Sequence, residues 1–288
     1  MIKKISRKIN EIPPLSHSTS ELMRLMSDPG HDVKHVIQIV ECDSALTSRV
    51  LRVINSASLA LLKPTTSIAR AVSYLGDKVV LGIALDACTS GIFIKPLDGY
   101  ESKRGALWDH NLRTAIASRE MARFAKEWVS PDLAFTGGLL HDIGKAVLSE
   151  FLRGSAADIL AEIDDGLLED YLAAEQKRLG IDHSVVGYEL AKKWALPSPL
   201  PDIIRHHHSP ALGAEEIRSL IYAVHVGDII AMMGGTGTGS DDMQYHLNGG
   251  FMEYLHVSLE DLERVIIQVD DEFRKTKTSV FGGKENQR

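Results

Sequence analysis

Apolar residues along this chain recur at helical spacing and almost never at strand spacing. In HDVKHVIQIVECD (31–43), Val33, Val36, Ile37 and Val40 stand at i, i+3, i+4 and i+7, which turns one helix face to a core. Leu46, Val50, Val53 and Ile54 repeat the theme, and Ile68, Val72 and Leu75 make another stripe, ended by Gly76. Upstream, Ser18 lies three residues before Glu21, a capping-box pattern that predicts a helix running to the SDPG turn at 27–30. Amphipathic helices this short are stable only when packed on one another, so residues 15–95 are expected to form an N-terminal helical bundle.

Around KPLDGYESKRG (95–105) polarity rises and Gly, Pro and Asp concentrate, which marks a subdomain boundary. From Leu107 the helical pattern resumes and lengthens, and residues 105–270 are expected to form a second helical subdomain. GGTGTGSDD (234–242) reads as a flexible loop; with no Lys at P-loop spacing and no strand before it, it is not expected to cradle phosphate. Ser258 is expected to cap a last helix carrying Leu259, Leu262, Val265, Ile266 and Val269 on one face. Residues 271–288, ending in FGGKENQR, are expected to be a flexible tail. The expected fold class is all-α, an N-terminal bundle packed on a longer-helix subdomain.

Composition narrows the function classes. No apolar run approaches the ~20 residues of a membrane span, and the basic start MIKKISRKINEIPPLS lacks the apolar core of a signal peptide, so no membrane role is expected. Cys42 and Cys88 sit in helical patterns without metal or redox spacing and are expected to be buried thiols in a reducing cytoplasm. A formal net charge of −7 argues against general nucleic-acid binding, which needs a basic face.

Histidine is the unusual component, 12 in all and partly clustered. FTGGLLHDIGKAVLSEF (135–151) places His141, Asp142 and Lys145 among Leu139, Leu140, Ile143 and Val147, which are patterned for burial. A buried charge costs several kcal/mol unless paired or coordinated. Either this trio packs against partners from elsewhere, or it faces a metal. LWDHNLRTA offers His110, GIDHSVVGYELAKKW offers His183, and AVHVGDIIA offers His225 and Asp228 on one helix face. His206, His207 and His208 cannot all face one point, since successive helical residues diverge by about 100°.

The ordered set of a His, a His-Asp pair followed by Ile-Gly-Lys, a further His, a His pair and an Asp resembles the HD superfamily of metal-dependent phosphohydrolases. CDSALTSRVLRVINSASLALLKPTTSIARAVSYLG (42–76) is similar to the stretch that opens an HDOD domain, a helical signalling module related to the HD and HD-GYP families. LWDHNLRTAIASREMA, DLAFTGGLLHDIGKAVL, GIDHSVVGYELAKKWALPSPLPDIIRHHHSP and AVHVGDIIA continue the resemblance in order, over roughly residues 15–270. It implies that His110 is the first metal ligand, that His141 and Asp142 are the signature pair with Asp142 bridging two metals, and that His183, His207, His208 and Asp228 complete the set. His206 falls one residue out of register. Lys145 falls where the signature lysine would face phosphate. One or two divalent ions are implied, and Fe, Mn, Zn and Ni all suit imidazole and carboxylate donors.

HDOD domains often lack part of this set, whereas every position is filled here. No Gly-Tyr-Pro follows the His pair, where HHHSPALGAEE stands, which argues against hydrolysis of cyclic-di-GMP. Ala106, one turn before His110, is not an acid that could hold a third metal. The resemblance implies a bacterial-type regulatory protein of the cytoplasm, acting on a signalling protein partner through contacts of its N-terminal helices. The alternative is a metal-dependent phosphohydrolase acting on a nucleotide or other phosphoester, with Asp142 and Lys145 as its catalytic residues.

Overall fold

The computed structural model describes residues 1–28, 30–55, 65–88 and 93–281. Among them there is no strand, only the isolated bridges Leu97–Ser102 and Ala125–Leu255, so the fold is all-α. The chain divides into two compact units, Met1–Pro13 with Ile92–Asp270 and Pro14–Gly91 with Asp271–Arg288. No helix of the described residues is long and apolar enough to cross a membrane.

Helix α1 (Ile2–Glu11) belongs to the unit that also contains residues 92–270. The other unit holds α2 (His17–Met26), α3 (Val33–Cys42), α4 (Ser44–Ile54), α5 (Ile68–Leu75) and α6 (Asp77–Cys88). Short polar residues start most of them. Asp32 accepts from the Lys34 N–H, Asp43 from those of Ala45 and Leu46, and Ser67 from that of Arg70. The cap of α2 is Ser16, which accepts from the Thr19 N–H, and not Ser18; the helix starts two residues earlier than the capping-box pattern implied. Gly76 ends α5 with φ 81°, a conformation open to glycine. Val36, Val40, Leu46, Val50, Ile54, Ile68 and Val72 are buried as the stripes require, while Val33 at the start of its stripe is exposed. Cys42 is an exposed free thiol, contrary to expectation, because it lies at the end of α3 off the Val36–Val40 face. The side chain of Cys88 lies outside the described residues.

The larger unit continues with α7 (Ala106–Met121), α8 (Pro131–Leu140), α9 (Lys145–Leu152), α10 (Ala156–Asp164), α11 (Tyr171–Leu179), α12 (His183–Lys193), α13 (Leu200–His206), α14 (Glu215–Met233), α15 (Phe251–Tyr254) and the first part of α16 (Leu259–Phe281). Helix α7 is buried almost all round and packs against α8 and α14, so a polar residue on it faces protein in nearly every direction. Helix α1 packs on α9 and α12 and buries Ile5 and Ile9, each worth about 1.5–3 kcal/mol. Lys193 donates to the carbonyls of Ile9, Asn10 and Ile12 and so closes the end of α1. Ser258 caps α16 through the Asp261 N–H, and Val265, Val269 and Phe273 form its buried stripe. The helix runs on to Phe281, into the segment read as a tail, while residues 282–288 lie outside the described residues.

Candidate metal centre

The HDIGK stretch forms a break between two helices. Helix α8 ends at Leu140, residues 141–144 turn, and Lys145 begins α9. Gly144 permits the turn to close on α12, since a Cβ there would lie 1.9 Å from the His183 carbonyl oxygen. His110 comes from the second turn of α7, His183 from the first position of α12, His207 and His208 from just beyond α13, and Asp228 from the C-terminal half of α14.

These seven side chains meet in two sets that share Asp142. In the first, His110 Nε2 lies 3.3 Å from His141 Nε2, 3.0 Å from Asp228 Oδ1 and 3.4 Å from Asp142 Oδ2. His141 Nε2 completes it, 3.5 Å from Asp142 Oδ2 and 3.6 Å from Asp228 Oδ1. In the second set, Asp142 Oδ1 lies 3.3 Å from His183 Nε2 and 3.6 Å from His207 Nε2, and His183 and His208 bring their Nε2 atoms to 2.9 Å. One carboxylate thus gives one oxygen to each set. His110, His141, Asp142, His183, His207 and Asp228 are buried, and His208 is partly so.

Outer contacts fix the imidazole tautomers. Nδ1 of His110 donates to the Thr236 carbonyl at 2.7 Å, that of His141 to Gly138 at 2.8 Å and that of His207 to Ile204 at 2.8 Å. Nδ1 of His183 donates to Glu175 Oε2 at 2.8 Å. A carbonyl or carboxylate only accepts, so the neutral rings carry their hydrogen on Nδ1 and aim Nε2 lone pairs inward. His207 Nε2 and Asp142 Oδ1 have no hydrogen-bond partner among the described residues, a costly arrangement in a dry core. Lone pairs converging on one another are repulsive unless a proton or a cation lies between them. The donor atoms therefore fit a divalent metal.

His225 does not join them. Its Nδ1 donates to the His207 carbonyl and its Nε2 accepts from the Asn248 N–H, both at 2.8 Å, so both nitrogens are engaged. His206 is partly exposed, in keeping with the angular divergence of the triplet.

The ammonium of Lys145 is buried between Asp142 Oδ2 at 2.7 Å and Asp241 Oδ2 at 2.6 Å, and it donates to Thr238 Oγ1 at 3.1 Å. Four buried carboxylates, Asp142, Asp228, Asp241 and Glu175, line this core beside one buried ammonium, which touches Asp142 and Asp241. That excess of negative charge governs titration. Burial pushes His110 down, but Asp142 and Asp228 outweigh it and carry it up to about 10. His183 likewise rises to about 10 against its own burial, through Glu175 and Asp142. Burial dominates at His207, which falls to about 4. Burial opposes the charge on Asp142 and Asp228, yet their imidazole neighbours, and for Asp142 also Lys145, hold both well below the usual carboxylate range.

Several contributors escape sequence reasoning. Thr236, Thr238, Asp241 and Tyr245 come from the Gly-rich loop and its continuation. Tyr245 stacks on His208 with centroids 4.3 Å apart and donates to Asp241. Gly239 holds the loop close, its φ of 139° leaving no room for a Cβ, which would lie 2.0 Å from the Tyr100 carbonyl oxygen. Nothing in the composition of 234–242 separates this from a solvated loop. Glu175 did leave a signal, because it stands on the buried stripe of Tyr171, Ala174 and Leu179.

The HDOD domain family model matches residues 12–210. An uncharacterized protein of Treponema pallidum (strain Nichols) is 24% identical over 225 residues, 76% of this chain, which spans only 42% of that relative's length. An HDOD domain protein of unknown function from Geobacter sulfurreducens superposes with a TM-score of 0.67 at 21% identity, over 97% of this chain and 98% of its own. A candidate signal transduction protein from Marinobacter aquaeolei VT8 gives 0.70 at 21%, over 95% of this chain and 59% of its own. A candidate metal-dependent phosphohydrolase from Shewanella amazonensis SB2B gives 0.55 at 16%, over 96% of each. At these identities the likeness is one of fold.

Proposed function

The chain belongs to the HDOD domain family, and from that footing we propose that it is a cytoplasmic signalling module whose core holds one or two divalent metal ions. Its output runs through protein contacts of the helices between residues 15 and 95. His110, His141, Asp142 and Asp228 would hold one ion, and Asp142, His183, His207 and His208 the other. Bound there, an ion supplies Lewis-acid charge and adds its binding energy to the fold. The Marinobacter protein of similar fold, named for signal transduction, supports the regulatory part of this reading.

The observation that carries it is Lys145. A lysine serving phosphate needs a free ammonium, and this one is buried and held by two carboxylates. A second reading, hydrolysis of a nucleotide or other phosphoester, is favoured by the two oxygens of Asp142 facing separate sets, the arrangement that a two-metal hydrolase uses. Metal content of the purified chain, measured beside turnover of a panel of nucleotides, cyclic dinucleotides and simple phosphoesters, decides between them. Bound metal without turnover is expected. Turnover that disappears in Asp142→Ala would establish the second reading in its place.

A further inference from the structure

Lys145 contributes nothing to the imidazole sets, yet its ammonium occupies an oxygen that the first set needs. Asp142 Oδ2 lies 2.7 Å from Lys145 Nζ, and 3.4 and 3.5 Å from the Nε2 atoms of His110 and His141. On its other side the ammonium meets Asp241 Oδ2 at 2.6 Å, with the Tyr245 ring centroid 4.7 Å away. Asp241 is held in place by hydrogen bonds from Thr238 Oγ1 at 2.8 Å and the Tyr245 hydroxyl at 2.9 Å.

We propose that Lys145 is a resident counter-ion that competes with a divalent cation for Asp142 Oδ2, and that Asp241 is the positioning residue that takes up its charge when the cation binds. This rests on reading the two sets as metal sites. A divalent ion and an ammonium on one carboxylate oxygen repel each other strongly in a dry core. Nζ already touches both carboxylates, so yielding Asp142 leaves it paired and needs no large movement. Without the charge on Asp241, Asp142 is the one carboxylate left to the ammonium, which then holds it against the metal.

The same exchange acts on the loop. Asp241 belongs to residues 234–248, a segment that also accepts from His110 through the Thr236 carbonyl and donates to His225 through the Asn248 N–H. The Ser240 N–H donates to the Tyr100 carbonyl at 2.7 Å. Metal entering the first set therefore moves positive charge onto Asp241 and tightens this strap over the site.

The test uses the full chain as wild type, Asp241→Asn and Lys145→Met, with Mn2+ affinity read by competition against a chelator and helicity checked by circular dichroism. Asp241→Asn should weaken Mn2+ binding by about tenfold or more, the range for a partner one layer outside the ligands. Lys145→Met removes the competitor and should tighten binding by a similar factor. Opposite signs are the signature, since two residues that merely hold the site together would both weaken it. Shifts in the same direction, or none, overturn the proposal. Should a variant fail to fold, wild-type amide exchange over 236–248 still decides: it should slow on Mn2+ loading, and unchanged or faster exchange overturns the proposal. If the wild type binds no Mn2+ at all, the metal reading itself falls and takes this proposal with it.

Discussion

Glu175 receives two hydrogen bonds from His183, the backbone N–H at 2.7 Å and Nδ1 at 2.8 Å, both on Oε2, while its Oε1 accepts from the Tyr100 hydroxyl at 2.6 Å. One buried carboxylate therefore sets the start of α12, the tautomer of His183 and the direction of its Nε2.

Glu175→Gln tests that relationship. The amide keeps the shape, removes the charge and cannot accept from both neighbours as well. Metal affinity of the second set should fall about 10–100-fold, while the first set, which Glu175 does not touch, should keep its own. Chelator competition resolving two binding steps would measure it. Equal weakening of both steps would mean that the variant disturbs the core at large.

The pH dependence of the metal-free chain follows from the raised histidines. His110 and His183 titrate near 10 in the folded chain against an ordinary 6.5, so their stabilisation is complete below 6.5 and is lost as pH rises through 10. Asp142 and Asp228, held low, contribute above their ordinary value of 3.8 and lose that contribution as pH falls through their folded values. A metal bound as proposed would take the place of the protons on both rings, with affinity rising up to about tenfold per pH unit for each proton displaced. The difference in Tm between metal-loaded and chelator-treated protein should therefore widen from pH 6.5 to 9. A constant gap would show that no proton leaves on binding.

The convergence of these side chains was legible because most of them stand among apolar neighbours whose pattern predicts burial. His141 and Asp142 stood out as charges inside Leu139, Leu140 and Ile143, and all three of those apolar residues are buried. The failures are local and physical. Ser16 outcompetes Ser18 as the cap of α2, because only its side chain meets the free Thr19 N–H. Asp241 lay hidden because a Gly-Thr-Ser run carries no periodicity, and its partner Lys145 is far away in sequence. Propensity can find a loop there, but only tertiary contact makes it part of a site.

Gly144→Ala separates packing from ligation. The added methyl would lie 1.9 Å from the His183 carbonyl oxygen and 2.7 Å from the Gly187 nitrogen, both backbone atoms that cannot swing aside. Overpacking of this kind costs about 1–3 kcal/mol or more. The second metal set should loosen, since His183 must retreat from Asp142. The expected result is a lower Tm even in chelator, together with weaker metal binding. A normal Tm in chelator would show that α9 and α12 separate freely, and the close approach would then have no bearing on the site.

Asp142 and Asp228 divide the two sets unequally, and this gives a stoichiometric test. Asp228 Oδ1 approaches His110 and His141 but serves no nitrogen of the second set within 4 Å, whereas Asp142 reaches both. Asp228→Ala should lower bound metal by one ion per chain and leave the His183 set loaded. Asp142→Ala takes an oxygen from each set and also strips Lys145 of one of its two carboxylates, so it should remove both ions and lower Tm further. Elemental analysis after dialysis against limiting Mn2+, with Tm measured on the same samples, reads both effects. If the two variants lose metal equally, the sets do not load independently and Asp142 is one ligand among several. If Asp142→Ala keeps a full complement, the shared carboxylate holds no ion, and the two-set description of the core falls with it.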